Sequence, residues 1–259
     1  MPELPEVETI VAGLAPRLLG RRFEDVEVLA PLVCKTSLRP LAGQRVSDVR
    51  RHGKNILIEC AGGFLWVHLG MTGKLLLDAC RTPYTRVVFH LDGGELLYDD
   101  VRMFGRLQWS AGVPERLAAL GPDALTISAE QFVQRLRARR GNIKALLLNQ
   151  RFLGGLGNIY ADESLFRSGI HPRALAGRLS QRRARRLYAA IQDVLREAIA
   201  HGGSSISDYV DAWGAAGEFQ RFHQVYGRQG MPCPVCGAAI RRIVIGQRGT
   251  HYCPRCQRS

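Results

Sequence analysis

The first residues of the chain carry two groups that could act together on an electrophilic sugar carbon. Pro2 is small enough to permit removal of Met1, which would expose a secondary amine. An α-amine has a pKa of about 8, so part of it is neutral near pH 7 and can form a Schiff base. Glu3 follows directly and is a candidate general acid and base. The same residues also suit an ordinary helix start, so both interpretations stay open for this segment alone.

A pattern of four cysteines near the end of the chain predicts a metal site. They form two Cys-x-x-Cys pairs separated by sixteen residues, which is the arrangement of a four-thiolate zinc site. Because protein thiolates fill all four positions, such a zinc ion is structural and has no open position for catalysis. Disulfides are the alternative, but they are uncommon in a chain without secretory features. The predicted ligands are Cys233, Cys236, Cys253 and Cys256.

The charge of the chain points to a polyanionic partner. Its 259 residues include 36 Lys+Arg and 23 Asp+Glu, for a formal net charge of +13. Since 46% of the residues are hydrophobic, this charge belongs to a folded protein, and nucleic acid is the obvious partner. Residues 1–120 carry a net charge of +1 and residues 121–259 a net charge of +12. We therefore expect the second half of the chain to bind DNA.

Neither a membrane span nor a secretory signal is expected. The sequence contains no apolar run of about 18 residues, and its N-terminus lacks a basic region followed by an apolar one. We therefore expect a cytoplasmic protein with no membrane partner.

The N-terminal part of the sequence predicts one helix followed by a β-rich region. Apolar residues at three- and four-residue spacing predict a helix from Pro2 to about Leu19. From residue 23 to about 109, short β-branched or apolar runs separated by glycines indicate an antiparallel sandwich or barrel. The predicted strands cover residues 45–49, 55–60, 64–69, 74–77, 86–91, 95–99 and 106–109. Three isolated cysteines, Cys34, Cys60 and Cys80, are expected to be buried free thiols.

After residue 114 the hydrophobic period becomes helical. Helices are predicted for residues 129–139, 142–148, 158–167 and 180–201, and a β-hairpin for 240–252. The sequence therefore predicts an α+β multidomain protein, with an N-terminal antiparallel β-sandwich flanked by helices and a helical domain that precedes a zinc-ribbon hairpin. The expected boundaries are a β-sandwich catalytic domain 1–114, a linker 115–124, a helical domain 125–227 and a four-cysteine zinc module 228–259.

Five segments form motifs that are informative in combination. They are Pro2-Glu-Leu-Pro-Glu-Val-Glu8, His68-Leu-Gly-Met-Thr-Gly73, Gly155-Leu-Gly-Asn-Ile-Tyr-Ala-Asp-Glu163, Val225-Tyr-Gly-Arg228 and Gln247-Arg-Gly-Thr-His-Tyr-Cys-Pro-Arg-Cys256. Together they resemble the formamidopyrimidine-DNA glycosylase family, which also includes endonuclease VIII. The resemblance covers essentially the whole chain and implies a helix-two-turn-helix in the helical domain, with a loop at about 214–224 that reads the everted base. Leu4 resembles the branch that acts on oxidised purines, since the endonuclease VIII branch typically has Gly there.

The resemblance implies four catalytic residues. Pro2 resembles the Schiff-base nucleophile that displaces the damaged base at the sugar C1′, and Glu3 resembles the acid/base that assists opening of the sugar ring. Lys54 resembles a lysine near the phosphates that donates a proton during β-elimination. Arg248 resembles the zinc-hairpin arginine that clamps a phosphate and supports δ-elimination.

The resemblance also implies phosphate contacts. Asn158 resembles the asparagine whose amide holds a phosphate flanking the lesion, at the start of a helix that suits anions. Further phosphate contacts are implied for His68, Arg139, Arg140 and Lys144.

A third implied set fills the space that the everted nucleotide leaves in the duplex. Met71, Arg102 and Phe104 resemble the family's void-filling side chains. Such side chains insert between base pairs and occupy the position that the everted nucleotide has left. Tyr84 stands where the family often has a DNA-contacting histidine, and Val101 stands where a proline is common.

The resemblance implies a monomeric bifunctional DNA glycosylase and AP lyase of base-excision repair. It would remove 8-oxoguanine and formamidopyrimidines from damaged double-stranded DNA and then cleave the backbone by β,δ-elimination, with one structural Zn²⁺ and no organic cofactor. Two alternatives stay open: an endonuclease VIII-like glycosylase for oxidised pyrimidines, and a non-catalytic zinc-ribbon protein that binds damaged DNA. Pro2, Glu3 and Lys54 argue against the second alternative, because binding alone needs none of them.

Overall fold

The chain divides into two compact units. The computed structural model describes residues 2–258. The first of the two units, here called the sandwich unit, contains the chain up to Ala119 together with Ile199–Gln220. The second, here called the helical–zinc unit, contains Leu120–Ala198 together with the chain from Arg221 onwards.

The sandwich unit contains two four-stranded antiparallel sheets. One sheet has the strand order β1-β6-β7-β5 and the other has the order β2-β3-β4-β8. The strands are β1 Phe23–Val28, β2 Val46–His52, β3 Asn55–Cys60, β4 Gly63–His68, β5 Gly73–Leu77, β6 Thr85–Leu91, β7 Gly94–Asp100 and β8 Arg106–Ser110. The expected antiparallel β-rich domain is therefore confirmed.

One hydrophobic core joins both sheets to helix α1 (Leu4–Leu18). Leu14 of the helix, Ile58 of one sheet and Phe89 of the other are all fully buried in it. The apolar residues of α1 recur at helical spacing, so the helix presents one continuous apolar stripe to the sheets. This packing fixes the start of α1, and with it the N-terminus, on a rigid body.

The isolated cysteines are all free thiols, but only part of the expectation about their burial is correct. Cys60 is buried and Cys34 is half-buried. Cys80 is exposed, because it lies in the loop between β5 and β6 rather than on a strand that faces the core. The prediction of a buried thiol is wrong for this residue.

The segment 199–220 packs within the sandwich unit. The Ser204 N–H donates a hydrogen bond to the carboxylate of Glu6 (2.8 Å), and the Leu77 N–H donates to the carbonyl of Ala212 (3.0 Å). The sequence analysis placed this segment in the helical domain at 125–227, whereas these contacts tie it to α1 and β5.

The helical–zinc unit contains most of the helical residues, and the predicted helices are confirmed. A capping box begins the first long one, where the Ser128 hydroxyl accepts a hydrogen bond from the Gln131 N–H (3.2 Å). The α-helices after α1 begin with the short α2 (Glu115–Ala118), which belongs to the sandwich unit. They continue with α3 Ala129–Arg137, α4 Ile143–Leu148, α5 Asn158–Arg167 and α6 Gln181–Ala200. Within residues 2–258, none of the helices is both long enough and apolar enough to cross a membrane.

The unit ends in a two-stranded hairpin, formed by β9 (Arg241–Ile245) and β10 (Arg248–Tyr252). Gly246 and Gln247 join the strands with φ angles of 56° and 61°. Two consecutive residues with positive φ form the tight turn that matches the twist of a hairpin. Arg248 is therefore the first residue after a well-defined turn.

Candidate active site

The N-terminal pair predicted to carry the chemistry is buried at the start of α1. Pro2 and Glu3 are both buried, and Glu3 is the N-cap residue of the helix. The backbone N–H of Glu3 donates to the carboxylate of Glu6 (2.7 Å). The other oxygen of Glu6 accepts from the Ser204 N–H. Glu6 therefore holds the start of α1 against the segment 199–220.

A tight turn between β2 and β3 positions Lys54. Gly53 has a φ of 60°, a left-handed conformation that glycine adopts without strain. The Asn55 side chain donates to the carbonyl of His52 (2.8 Å) and accepts from the Trp66 indole N–H (3.0 Å). Because Trp66 is buried in the neighbouring strand, the turn that carries Lys54 is fixed by the sheet.

His68, at the end of β4, is neutral at physiological pH. Burial, together with the nearby charges of Lys54, Arg116 and Arg106, lowers the pKa of His68 to about 4. Its Nδ1 accepts a hydrogen bond from the Gly70 N–H (3.2 Å). The proton of the neutral ring is therefore on Nε2, which can donate to a phosphate oxygen.

The three predicted void-filling side chains are exposed, and the central one, Arg102, contacts both of the others. Met71 is 42% exposed and Phe104 is 51% exposed. The Arg102 guanidinium lies over the Phe104 ring, 4.7 Å from its centroid, and its Nη1 is 3.5 Å from the Met71 sulfur. An exposed cluster of two large apolar side chains and one planar cation can replace a base in a stacked duplex.

A buried carboxylate holds the two loops that carry this cluster. Asp100 is fully buried and accepts from the Gly105 N–H (2.8 Å), the Tyr98 hydroxyl (3.2 Å) and the Thr72 hydroxyl. The Thr72 hydroxyl oxygen in turn accepts from the Arg102 N–H (3.0 Å). Asp100 therefore acts as the common anchor of residues 71–72 and 102–105.

Tyr84 lies on the surface of the sandwich unit. Its ring is exposed, and the Arg86 guanidinium lies 5.9 Å from the ring centroid. The Tyr84 N–H donates to the Thr82 hydroxyl (3.0 Å), which fixes the loop. A flat ring next to a cation is compatible with contact to a DNA backbone.

In the helical–zinc unit, Asn158 lies in the first turn of α5. Its amide Nδ2 donates one hydrogen bond to the carbonyl of Gly249 in the zinc hairpin (2.9 Å). The amide nitrogen has two hydrogens, so this bond orients the side chain and leaves a donor for a phosphate. The helix N-terminus adds the electrostatic preference for an anion.

Lys144 does not fit its predicted role as a phosphate contact. Its side chain is 0% exposed, and its ammonium donates to the Asp162 carboxylate (2.7 Å) and to the Asn158 carbonyl (2.9 Å). A fully enclosed ammonium paired with a carboxylate cannot reach the DNA backbone. This prediction is therefore corrected: Lys144 joins α4 to α5 in the interior.

The predicted arginines of this unit are accessible. Arg139 and Arg140 are exposed between α3 and α4, and Arg248 is exposed at the start of β10. A guanidinium on a short loop presents a fork of N–H donors that matches phosphate oxygens. The structure thus leaves all three able to contact a polyanion.

The four cysteines of the two Cys-x-x-Cys pairs converge. Their sulfur atoms all lie within 4.8 Å of one another, with Cys233 and Cys256 3.8 Å apart and Cys236 and Cys253 3.4 Å apart. In a tetrahedral site with Zn–S bonds of about 2.3 Å, the sulfurs are about 3.8 Å apart. The thiols are free, so the disulfide alternative is wrong, and the four residues form a structural zinc site.

Comparison with known families matches three consecutive parts of the chain. Residues 1–107 match the formamidopyrimidine-DNA glycosylase N-terminal domain, and residues 119–210 match the H2TH domain of the same enzymes. Residues 230–258 match the zinc finger found in FPG and IleRS. The chain belongs to the formamidopyrimidine-DNA glycosylase family.

Individual members of the family match along their whole length. The formamidopyrimidine-DNA glycosylase of Solibacter usitatus is 51% identical, over 100% of this chain and 100% of that protein. The crystal structure of the MutM (FPG) protein of Thermus thermophilus superposes with a TM-score of 0.89 at 42% identity, covering 99% of this chain and 98% of that one. A complex of Lactococcus lactis Fpg with DNA containing an abasic site has a TM-score of 0.90 at 34% identity, covering 99% and 100%.

In this member of the formamidopyrimidine-DNA glycosylase family, the sequence analysis missed the structural role of four of the buried carboxylates. Glu163 accepts from the backbone N–H groups of residues 224–226, at 2.9, 3.0 and 2.8 Å, and burial raises the pKa of Glu163. Acidic residues inside predicted apolar segments were the available signal, since a buried acid needs partners. The four are Glu6, Asp100, Asp162 and Glu163.

Proposed function

We propose that the chain is a bifunctional DNA glycosylase and AP lyase of base-excision repair, acting on oxidised purines such as 8-oxoguanine and formamidopyrimidines in duplex DNA. The observation that carries the proposal is the buried pair Pro2 and Glu3, held at the start of α1 by Glu6. Family membership supports the same reaction class. The exposed cluster of Met71, Arg102 and Phe104 supports a duplex substrate with an everted nucleotide.

In the first step, the nitrogen lone pair of Pro2 attacks C1′ of the damaged nucleotide. The bond between C1′ and the base breaks, the Pro2 nitrogen loses its proton, and the leaving base takes up a proton, so that the two transfers balance. Glu3 donates a proton to the ring oxygen O4′, so that the sugar opens and the C1′–N bond becomes an iminium. Glu3 is the nearest carboxyl group in sequence to the nucleophile and is buried beside it.

The iminium then makes strand cleavage possible, because it acidifies the proton at C2′. Loss of that proton expels the 3′ phosphate in the β-elimination, and a second elimination along the conjugated system expels the 5′ phosphate. Lys54 and Arg248 are the proposed participants, as a proton donor and a phosphate clamp respectively. Water finally hydrolyses the imine, which releases an unsaturated aldehyde and regenerates the Pro2 amine.

The proposed DNA contacts use both units of a single chain. His68 donates from Nε2 and Asn158 from Nδ2 to phosphates, while the exposed Arg139 and Arg140 add charge. We infer that the protein acts as a monomer in the cytoplasm. Light scattering of the protein with and without a lesion duplex should show one chain per DNA; a stable dimer would contradict the inference.

Reductive trapping tests the nucleophile. Met1 lies outside the described residues, so mass spectrometry must first show that the preparation begins at Pro2. Borohydride should then link the protein covalently to lesion DNA, and the link should disappear in protein whose Pro2 nitrogen is acetylated, because an amide nitrogen is not nucleophilic. Trapping that persists unchanged in the acetylated protein, or no trapping by the processed protein, would overturn the proposed mechanism.

The substrate class is tested separately. Leu4 favours oxidised purines, as in the branch of the family it resembles. We expect faster excision of 8-oxoguanine opposite cytosine than of thymine glycol, measured under single-turnover conditions. The reverse order would favour an endonuclease VIII-like enzyme, and excision of neither would favour a protein that only binds damage.

A further inference from the structure

Two side chains of α5 attach the helix to the backbone of the zinc hairpin. Asn158 donates to the carbonyl of Gly249 (2.9 Å), and Asp162 Oδ2 accepts from the backbone N–H of His251 (2.8 Å). The two side chains are four residues apart on the helix, so they lie on one face. The two backbone groups are two residues apart on β10, so they lie on one edge of the strand.

Asp162 is the centre of this connection. It is buried, and its Oδ1 accepts from the Lys144 ammonium (2.7 Å) while its Oδ2 also lies 3.3 Å from Nδ1 of His251. The Lys144 ammonium donates in turn to the carbonyl of Asn158 (2.9 Å). One carboxylate therefore joins α4, α5 and β10 in a region of low dielectric, where satisfied polar networks are rigid.

Arg248 immediately precedes the attached part of the strand. Its guanidinium is exposed, but the next residue is bonded to Asn158 and the residue at 251 is bonded to Asp162. The zinc ligand that follows, Cys253, is five residues away from Arg248. A zinc ion bound at Cys253 would thus hold the base of the hairpin, whereas α5 holds the part next to its tip.

We propose that Asp162 is a positioning residue for Arg248, acting through the His251 N–H to hold the arginine where it can clamp a phosphate. This rests on the proposed function, in which Arg248 supports the δ-elimination. Loss of the anchor is expected to lower the yield of δ-elimination relative to β-elimination and to weaken DNA binding. Formation of the Schiff base at Pro2 in bound complexes should persist.

The sharpest test removes the His251 N–H without touching the buried ion pair. His251→Pro deletes this donor, and His251→Phe is the matched control that removes the imidazole but keeps the N–H. Since the N–H points to Asp162 rather than to β9, proline at this position leaves the hairpin ladder intact. The ratio of δ- to β-elimination products should fall about tenfold in His251→Pro relative to His251→Phe, as for a lost hydrogen bond to a charged group. Equal ratios in two zinc-loaded proteins would overturn the proposal.

A second pair of variants tests the acceptor on the helix. Lys144→Met with Asp162→Asn, and Lys144→Met with Asp162→Leu, both lack the buried charges, which avoids an unpaired ion in the interior. Only the asparagine retains an acceptor for the His251 N–H. The proposal predicts a lower δ/β ratio in the leucine variant than in the asparagine variant, and the same ratio in both would contradict it.

If a variant loses its zinc, hydrogen exchange on the unmodified protein tests whether the His251 N–H is hydrogen-bonded. The His251 amide should exchange much more slowly than an exposed amide of the same hairpin, and exchange at the rate of an open amide would overturn the proposal. Arg248→Ala separates this idea from the proposed function. If the parent protein yields no δ product and Arg248→Ala changes nothing, the role of Arg248 fails; if Arg248→Ala lowers the ratio and the anchor variants do not, only the anchor fails.

Discussion

The sandwich unit and the helical–zinc unit use their ionisable residues in different ways. In the sandwich unit, Glu6 and Asp100 are buried acceptors that hold the N-terminus and the void-filling loops. The helical–zinc unit combines exposed arginines with a zinc site and with the buried ion pair of Lys144 and Asp162. The first arrangement fixes the groups for which we propose reaction and intercalation, and the second fixes elements that present positive charge. Buried acids therefore position other groups in both units. The units differ in net charge, which is high in the one for which we propose most of the phosphate binding and low in the one for which we propose the reaction.

The largest effect is expected from a substitution in the sandwich unit that abolishes the reaction but leaves DNA binding unchanged. Glu3→Gln should lower single-turnover excision by about 10²- to 10⁴-fold, as for loss of a general acid–base group. Binding of lesion DNA, measured by fluorescence anisotropy, should change little because Glu3 contacts no phosphate in the proposed mechanism. Excision at the parent rate would show that the acid lies elsewhere.

The converse change, in the helical–zinc unit, weakens DNA binding but leaves the fold of the sandwich unit intact. Removing zinc with a chelator, or replacing Cys253 by serine, should release the hairpin that carries Arg248. Losing the contacts of Arg248 and Asn158 should weaken DNA binding by about 10²- to 10⁴-fold, since hydrogen bonds to charged groups contribute about 1.5–3 kcal/mol each. The β-sheet signal in circular dichroism should persist, and re-addition of Zn²⁺ should restore binding. Unchanged affinity in metal-free protein would contradict the division between the units.

A smaller effect is expected from the anchor of the void-filling cluster. Asp100→Asn should reduce excision about tenfold, because one buried hydrogen-bond network loses its charged acceptor. Asp99→Asn is the matched control, since Asp99 lies on the same strand and accepts from Thr82 instead (2.7 Å). Equal rates for the two variants would mean that Asp100 does not position the cluster.

The pH dependence of stability sharpens the comparison further. The pKa of His68 in the folded protein is about 4, below the unfolded value of about 6.5, so the unfolded state takes up a proton first as the pH falls. Stability from His68 is therefore complete above pH 6.5 and is lost as the pH falls towards 4. Denaturant melts should show that His68→Asn removes about 1–3 kcal/mol of this loss. Identical pH profiles for parent and variant would refute the assignment.

His223 provides the corresponding test in the helical–zinc unit, because burial alone lowers its pKa to about 4. Its contribution to stability should likewise be lost as the pH falls from about 6.5 towards 4.

The smallest effect concerns exposed charge. Each of Arg139→Ala and Arg140→Ala should reduce the slope of log affinity against log salt by about 1, as expected for one phosphate contact. Arg81→Ala is the control in the sandwich unit, where Arg81 is paired with Glu27 and Glu95 at 2.8 Å. A loss of slope in the control equal to that of the test variants would erase the proposed difference between the units.

Much of the fold follows from local patterns. The helices from α3 to α6 and most strands were predicted close to their observed positions, because hydrophobic period and glycine breaks act within a few residues. Strand β1 (Phe23–Val28) was not singled out, since its sequence FEDVEV has three acids among six residues. It forms because it pairs with β6, more than 60 residues away, as in Val26↔Phe89.

The site was predicted unevenly for the same reason. Lys144 was assigned to phosphate because it resembles a phosphate contact of the family. Its burial depends on Asp162, eighteen residues later in the chain, and nothing in the local pattern around Lys144 indicates that pairing. The segment 199–220 was assigned to the helical domain by continuity, whereas its hydrogen bond to Glu6 joins residues 198 positions apart.

The sequence by itself determined the four zinc ligands and the basic second half, because residue type and position along the chain specify both of them, and the reactive N-terminus is a prediction that follows from the family resemblance. Only the tertiary structure decided that Met71, Arg102 and Phe104 form one exposed cluster, that Asp100 anchors it and that Asp162 attaches α5 to the zinc hairpin. The long-range contacts among them join Thr72 to Asp100, 28 positions apart, and Asp162 to His251, 89 positions apart. Their partners are chosen by packing in three dimensions, which no local pattern of residues contains.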